Sequence, residues 1–315
     1  MTHYTTADSS GAVGSWRGRT LPAVAVFFSV WIACVGFLAA TRGNFLFPIV
    51  SMVLFGGVMS AVGILLTRKT NAPAVPVVHP RRESVALLAY LAFYTFVVFG
   101  PVATAVKDAF GPGPTREVLV VGYKLVVHFV LPAILILALG GRLRGIFDAG
   151  LARRGVVAVI VLFSVVMIGL VAALNSIFET LAATGLSHLQ IVGWIVLAWA
   201  WMSVEAGFCE EFLFRGLLQS RLTLWFGSAP WAIVAMCIVF ALVHVPGFYL
   251  RGGENVARQA QGLAQITALA IGAIGPIALM MGILWQRTRS FLLVVLVHGA
   301  IDAMPAVERM MRTWS

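Results

Sequence analysis

Four of the twelve acidic residues in this chain fall within runs that are otherwise apolar: Glu205, Glu210, Glu211 and Asp302. His244 and His298 lie in apolar runs of the same last third of the sequence. An ionisable side chain inside a bilayer costs about 2.5–3.5 kcal/mol on insertion scales, and such residues mark reactive sites, relays or ion paths. Six of them in three apolar segments point to a functional cluster.

Helical spacing sorts them. In "GFCEEFLFRGLL", Glu211 and Arg215 are i,i+4 neighbours and can pair on one face. Glu210 is turned about 100° from Glu211 and is therefore free of that arginine. Glu211–Arg215 is expected to be a neutralised support pair, and Glu210 the reactive carboxylate. In the next segment Phe240 and His244 share a face, and in the last His298 and Asp302 do so. Phe240 is expected to pack beside His244, and Asp302 to orient or charge-balance whatever His298 contacts. Glu210 precedes the turn "WFGSAP" by about 16 residues and His244 follows it by about 15, so both lie roughly 23 Å from that turn. His298 and Asp302 lie only about 14 and 20 Å from the "QRTRS" turn. The last helix must therefore be tilted or start at another level.

A carboxylate desolvated in an apolar pocket makes a suitable general base, and a histidine facing it can share a water. Two histidines and a carboxylate equally suit a catalytic zinc with a bound water, held by Glu210, His244 and His298. HExxH is absent, and no cofactor is required by the pattern. Glu205 is expected to be structural or interfacial. Lys124 and His128 form an i,i+4 pair without an accompanying acid and are expected to be helix-packing or interface residues. Cys209 has no activating helix terminus and is not expected to be a nucleophile.

"EEFLFR", "FALVH" and "HGAID" follow one another as EExxxR, FxxxH and HxxxD motifs. In this the sequence resembles the CPBP (Abi) family of type II CAAX prenyl proteases and bacteriocin-processing proteins, over about 205–305. The resemblance implies an intramembrane endopeptidase in which Glu210 and His244 activate water and His298 and Asp302 stabilise the oxyanion. Where the prenyl-processing members carry Asn, this chain has Asp302. An ionised Asp cannot donate to an oxyanion, so Asp302 has to be protonated or to act by orienting His298. Two other classes of function use the same residues: a transport or non-enzymatic protein with a proton relay or binding cavity, and an immunity or accessory protein.

The elements that must position this cluster are transmembrane helices. The 315 residues are 60% hydrophobic and 11% charged, with a mean hydropathy of +0.97, whereas soluble domains carry about 25% charged residues. The expected fold is an all-α polytopic membrane bundle of about 8–10 helices. Runs of spanning length recur at 21–40, 46–66, 85–105, 118–139, 155–175, 191–208, 231–249, 266–285 and 291–307. Residues 1–20 read as a disordered tail, 21–180 as N-terminal transmembrane helices, 181–308 as the catalytic core and 309–315 as a second tail. Thr67–Ser84 and Gly141–Gly155 read as polar loops. Residues 191–225 would make a helix of about 50 Å, longer than a hydrocarbon core, so a break or kink is expected near Gly207.

The net charge of +10 does not indicate nucleic acid, because the arginines lie between apolar runs rather than on one basic face. With the N-terminus cytoplasmic, alternate connections up to residue 154 hold ten Lys and Arg against four on the other side, favouring that orientation. The expected setting is a bacterial inner (plasma) membrane, and the expected partner a peptide or protein substrate at the bilayer. Cys34, Cys209 and Cys237 lack CxxC spacing, which argues against a disulfide framework or thiolate metal site.

Overall fold

The computed structural model describes residues 16–174, 177–251 and 260–314. Among them there is no strand, and nine helices are long and apolar enough to cross a membrane. They are α1 (Trp16–Ala40), α2 (Leu46–Leu66), α3 (Pro80–Val106), α4 (Pro114–Ala138) and α5 (Val156–Leu174). A short α6 (Ile177–Ala182) leads to α7 (His188–Phe226), followed by α8 (Ala229–Arg251), α9 (Gly262–Thr288) and α10 (Phe291–Trp314).

The spanning runs expected from hydropathy each correspond to one of these helices; α2 and α5 keep close to the expected bounds, and most of the others extend beyond them. α1 starts at Trp16, so residues 16–20 are helical rather than tail, and residues 1–15 of the expected tail lie outside the described residues. α10 runs to Trp314, so 309–314 is helix, not a tail. α3 starts at Pro80, inside the expected polar loop, with proline in the first turn where its missing N–H costs nothing. The reason for that early start is Glu83. It is fully buried, pairs with Arg221 Nε of α7 at 2.8 Å, and accepts from the His79 backbone N–H at 2.7 Å. Buried charge needs such pairing, and the loop register follows from it.

The break expected near Gly207 does not occur among the described residues. α7 begins with a Ser187–Gln190 capping box and continues as helix to Phe226, 39 residues in all. Around Gly207 it instead widens to π-helical bonding at Ser203–Phe208, and again at Phe212–Gln219. α3 widens likewise at Tyr94–Val98 and α4 at Val126–Val130. Such bulges re-aim side chains without interrupting the helix. The widened segments meet one another: Tyr94 stands edge-on to His128 at 5.1 Å, and Phe129 to Phe212 at 4.7 Å.

α8 and α9 form the most extensive helix pair, and α10 is wedged between α7 and α5. Met280, Met281, Leu284 and Trp285 of α9 are enclosed in the central core. α1 and α2 attach to α9 through its backbone, with Trp31 Nε1 donating to Gly272 O at 3.1 Å and Ser51 Oγ to Ala273 O at 2.5 Å.

Candidate active site

Two glycines bring α7 and α10 together. A Cβ on Gly207 would collide with the Val295 carbonyl, and one on Gly299 with the Ser203 backbone. Small residues permit this approach, as in membrane helix pairs generally. Gly207 lies one turn before Glu210 and Gly299 immediately follows His298, so the crossing sets both side chains at one place.

The geometry matches most of the helical-wheel reading. Arg215 donates to Glu211 Oε1 at 2.9 Å, with both side chains buried. Glu210 points elsewhere, its Oε2 standing 3.9 Å from His244 Nε2 and 3.8 Å from His298 Nε2. Asp302 Oδ2 is 3.4 Å from the same His298 nitrogen. His244 Nδ1 bonds the Phe240 carbonyl at 2.7 Å. The carbonyl can only accept, so Nδ1 carries the proton and Nε2 presents a lone pair or a second proton toward Glu210.

Glu211 does more than neutralise an arginine. The oxygen that receives Arg215 also lies 2.6 Å from His298 Nδ1. It therefore fixes the ring that the support-pair reading left unassigned. Spacing within one helix could not reveal this bond, because the partners are 87 residues apart. Phe240 packs on His244 at 4.7 Å, as expected, and lies 4.3 Å beneath the Arg215 guanidinium as well. One ring thereby supports two members of the cluster, with a cation–π contact on one side.

The level of the last helix is also explained. Arg289, in the turn before α10, donates to Ser220 Oγ at 3.0 Å. The turn thus docks on α7 about six residues, or roughly 9 Å, short of its end. Added to the 14 Å between that turn and His298, this offset brings His298 to the depth of Glu210.

The cluster is buried but reachable: Glu210 is 15% exposed, His244 25% and Asp302 38%. Among the described residues, no three His, Cys, Asp or Glu side chains are disposed as a metal-ligand set. Cys209, beside Glu210, is enclosed and turns its sulfur to the Val204 carbonyl.

Glu205 is held among Trp201 Nε1 (2.8 Å), Lys124 Nζ (3.3 Å) and Arg309 (3.0 Å). This is the structural setting expected of it. His128 packs between helices as expected, edge-on to Tyr94 of α3 at 5.1 Å, with its Nδ1 on the Lys124 carbonyl. The acid missing from their own helix is supplied to Lys124 by Glu205 of α7 at 3.3 Å, which sequence proximity could not show.

Residues 192–304 match the family model described as type II CAAX prenyl endopeptidase Rce1-like. The match spans about a third of the chain and contains all of Glu210, Glu211, Arg215, Phe240, His244, His298 and Asp302. No curated protein and no solved structure matches. This segment is CAAX-protease-like, embedded in a multi-pass helical membrane protein.

Proposed function

We propose that the protein is an intramembrane endopeptidase in which Glu210 activates water against a peptide bond. The observation that carries this reading is the convergence of two histidine Nε2 atoms, from α8 and α10, on one oxygen of Glu210, the carboxylate that Arg215 does not engage.

A water held between Glu210 Oε2 and His244 Nε2 is placed for deprotonation by the carboxylate. Its oxygen attacks the carbonyl carbon while the proton passes to Glu210. His298 donates its Nδ1–H to Glu211, so it is the doubly protonated ring, its charge balanced by Glu211 and Asp302, that donates Nε2–H to the carbonyl oxygen as it becomes an oxyanion. Asp302 orients that ring from 3.4 Å, which gives an ionised aspartate a role where a donor is not needed. Collapse of the tetrahedral intermediate breaks the C–N bond, and the proton on Glu210 passes to the leaving amine. The step needs no metal. The substrate is a membrane-associated peptide, such as a prenylated or leader-bearing chain, and the site lies in the plasma membrane with the N-terminus cytoplasmic.

The test uses full-length protein in lipid nanodiscs with a library of membrane-anchored peptides, products being read by mass spectrometry. Cleavage is expected to vanish in Glu210→Gln and His244→Ala and to persist in EDTA. Undiminished cleavage by Glu210→Gln would overturn the reading, and loss in EDTA alone would replace Glu210-activated water by a metal-bound one.

A further inference from the structure

Where α3 begins, a recess of about 790 Å³ opens beside its first turns. His79, Arg81 and Arg82 line its polar end, and Val78, Val85 and Ala89 belong to its apolar lining. Helical spacing builds it. Glu83, Leu87 and Leu91 recur every four residues and turn inward, where all three are buried. Arg81, Val85 and Ala89 recur in the same way on another face and are exposed.

The two arginines have no acid to answer them. Glu83, next in the sequence, is taken by Arg221 of α7 and by the His79 backbone N–H. Arg81 and Arg82 make no ion pair among the described residues. The Arg142 carbonyl accepts from Arg221 at 3.0 Å, so the connection after α4 runs alongside and adds the exposed Arg142 and Arg144 at the same level. Uncompensated cations beside a low-dielectric medium attract an anion, and the forked N–H groups of arginine suit a phosphate.

The shape of the recess decides what carries that phosphate. α3 crosses the membrane from Pro80, and Ala89 lies about 13 Å further along it. The arginines therefore stand at headgroup level while the apolar wall descends into the hydrocarbon. A free phosphate has no use for that wall, and an acidic protein surface cannot follow it into the bilayer. A phospholipid fills both halves at once.

We infer that the start of α3 is a binding site for an anionic phospholipid, its phosphate held by Arg81 and Arg82 and its acyl chains laid along Val85 and Ala89. The site lies on the membrane face from which α1 starts, because two crossings separate the starts of α1 and α3. Its occupant braces the end of α3 that Glu83 ties to α7, the helix carrying Glu210.

Full-length protein is released from nanodiscs of phosphatidylglycerol and phosphatidylcholine in equal parts, and the lipids that stay bound are identified by native mass spectrometry. Phosphatidylcholine carries the same phosphate with a cation attached, so phosphatidylglycerol is expected to be retained at least threefold over it. Arg81→Gln combined with Arg82→Gln should bring that ratio to about one. Arg68→Gln combined with Lys69→Gln, on the same membrane face but outside the recess, should leave it unchanged. A second measurement needs only the wild-type protein. The first-turn amides of a helix lack helical partners, and phosphatidylglycerol should slow their hydrogen exchange over residues 78–82, while inorganic phosphate at the same concentration should not. No preference in the wild type, a preference that survives loss of Arg81 and Arg82 or falls equally in the Arg68 and Lys69 control, or equal protection by inorganic phosphate would each overturn the site. None of these readouts depends on cleavage, so the site stands or falls separately from the endopeptidase reading.

Discussion

The first five spanning helices and the last two are built from similar apolar residues, yet they sit differently. In α1 to α5 only 17–39% of the spanning window is buried in the protein, while in α9 and α10 it is 67%. The outer helices present Leu, Val, Ile and Phe to lipid; the inner ones are mostly enclosed, and α10 meets α7 and α8 at the hub where the charged cluster lies. A bilayer rewards apolar surface wherever it faces outward, so hydropathy alone cannot distinguish wall from hub. What distinguishes them is the polar group that requires partners. The hub holds Glu210, Glu211, His244 and His298, and the outer helices reach it at a few paired points, such as Glu83–Arg221 and Glu117–Arg309.

This contrast can be broken most severely at the centre. Glu210→Gln is expected to reduce turnover at least a hundredfold without changing the thermal unfolding of detergent-solubilised protein, since among the described residues Glu210 makes no ion pair with Lys or Arg. Glu211→Gln is a different kind of lesion. It leaves Arg215 buried without a counter-charge and loosens His298, so both activity and stability should fall, the latter by about 3–5 kcal/mol.

The link between hub and wall is tested by Glu83→Gln. Arg221 then lies enclosed without its acid, and unfolding should become easier by about 3–5 kcal/mol, with turnover per folded molecule preserved. The double variant Glu83→Leu with Arg221→Met should recover most of that loss, because apolar replacement of both partners removes the desolvation penalty. A double variant as unstable as the single one would show that the pair is more than mutual neutralisation. Gly207→Ala probes the crossing itself. A methyl group pressed on the Val295 carbonyl should cost about 1–3 kcal/mol and displace Glu210 from His298, lowering kcat more than it raises KM. The smallest effect belongs to the wall: Val53→Ala, on a side chain 61% exposed toward lipid, should shift stability by no more than about 0.5 kcal/mol.

How much of this was legible in the sequence depends on whether the determining contact was local. The Glu211–Arg215, Phe240–His244 and His298–Asp302 relations are i,i+4 spacings, readable from one helix. The turn away of Glu210 followed from the same geometry. By contrast, Glu211 to His298, Lys124 to Glu205 and Glu83 to Arg221 each join helices far apart in the chain, and no periodicity encodes them. Glu83 reads as part of a polar loop because its neighbours Arg81 and Arg82 are polar; its buried partner Arg221 goes with its place in a helix. The continuous α7 was missed for a related reason. A helix too long for the bilayer suggests a break, whereas the chain continues as helix through π-turns whose i→i+5 bonding leaves no mark in residue type. Gly207 and Gly299 do mark the crossing in the sequence, as small residues on apolar helices that carry reactive side chains.

The central claim is that Glu210 is the base of a peptide-bond hydrolysis. Its most direct test compares protein termini in membranes of cells producing the wild-type chain or Glu210→Gln at matched levels, with Glu205→Gln as a structural control. The account predicts at least one membrane-associated precursor that remains uncleaved in Glu210→Gln while it is processed in the wild type and, at whatever level of folded protein remains, in the control. Identical termini in wild type and Glu210→Gln, with both proteins folded and membrane-inserted, would contradict it.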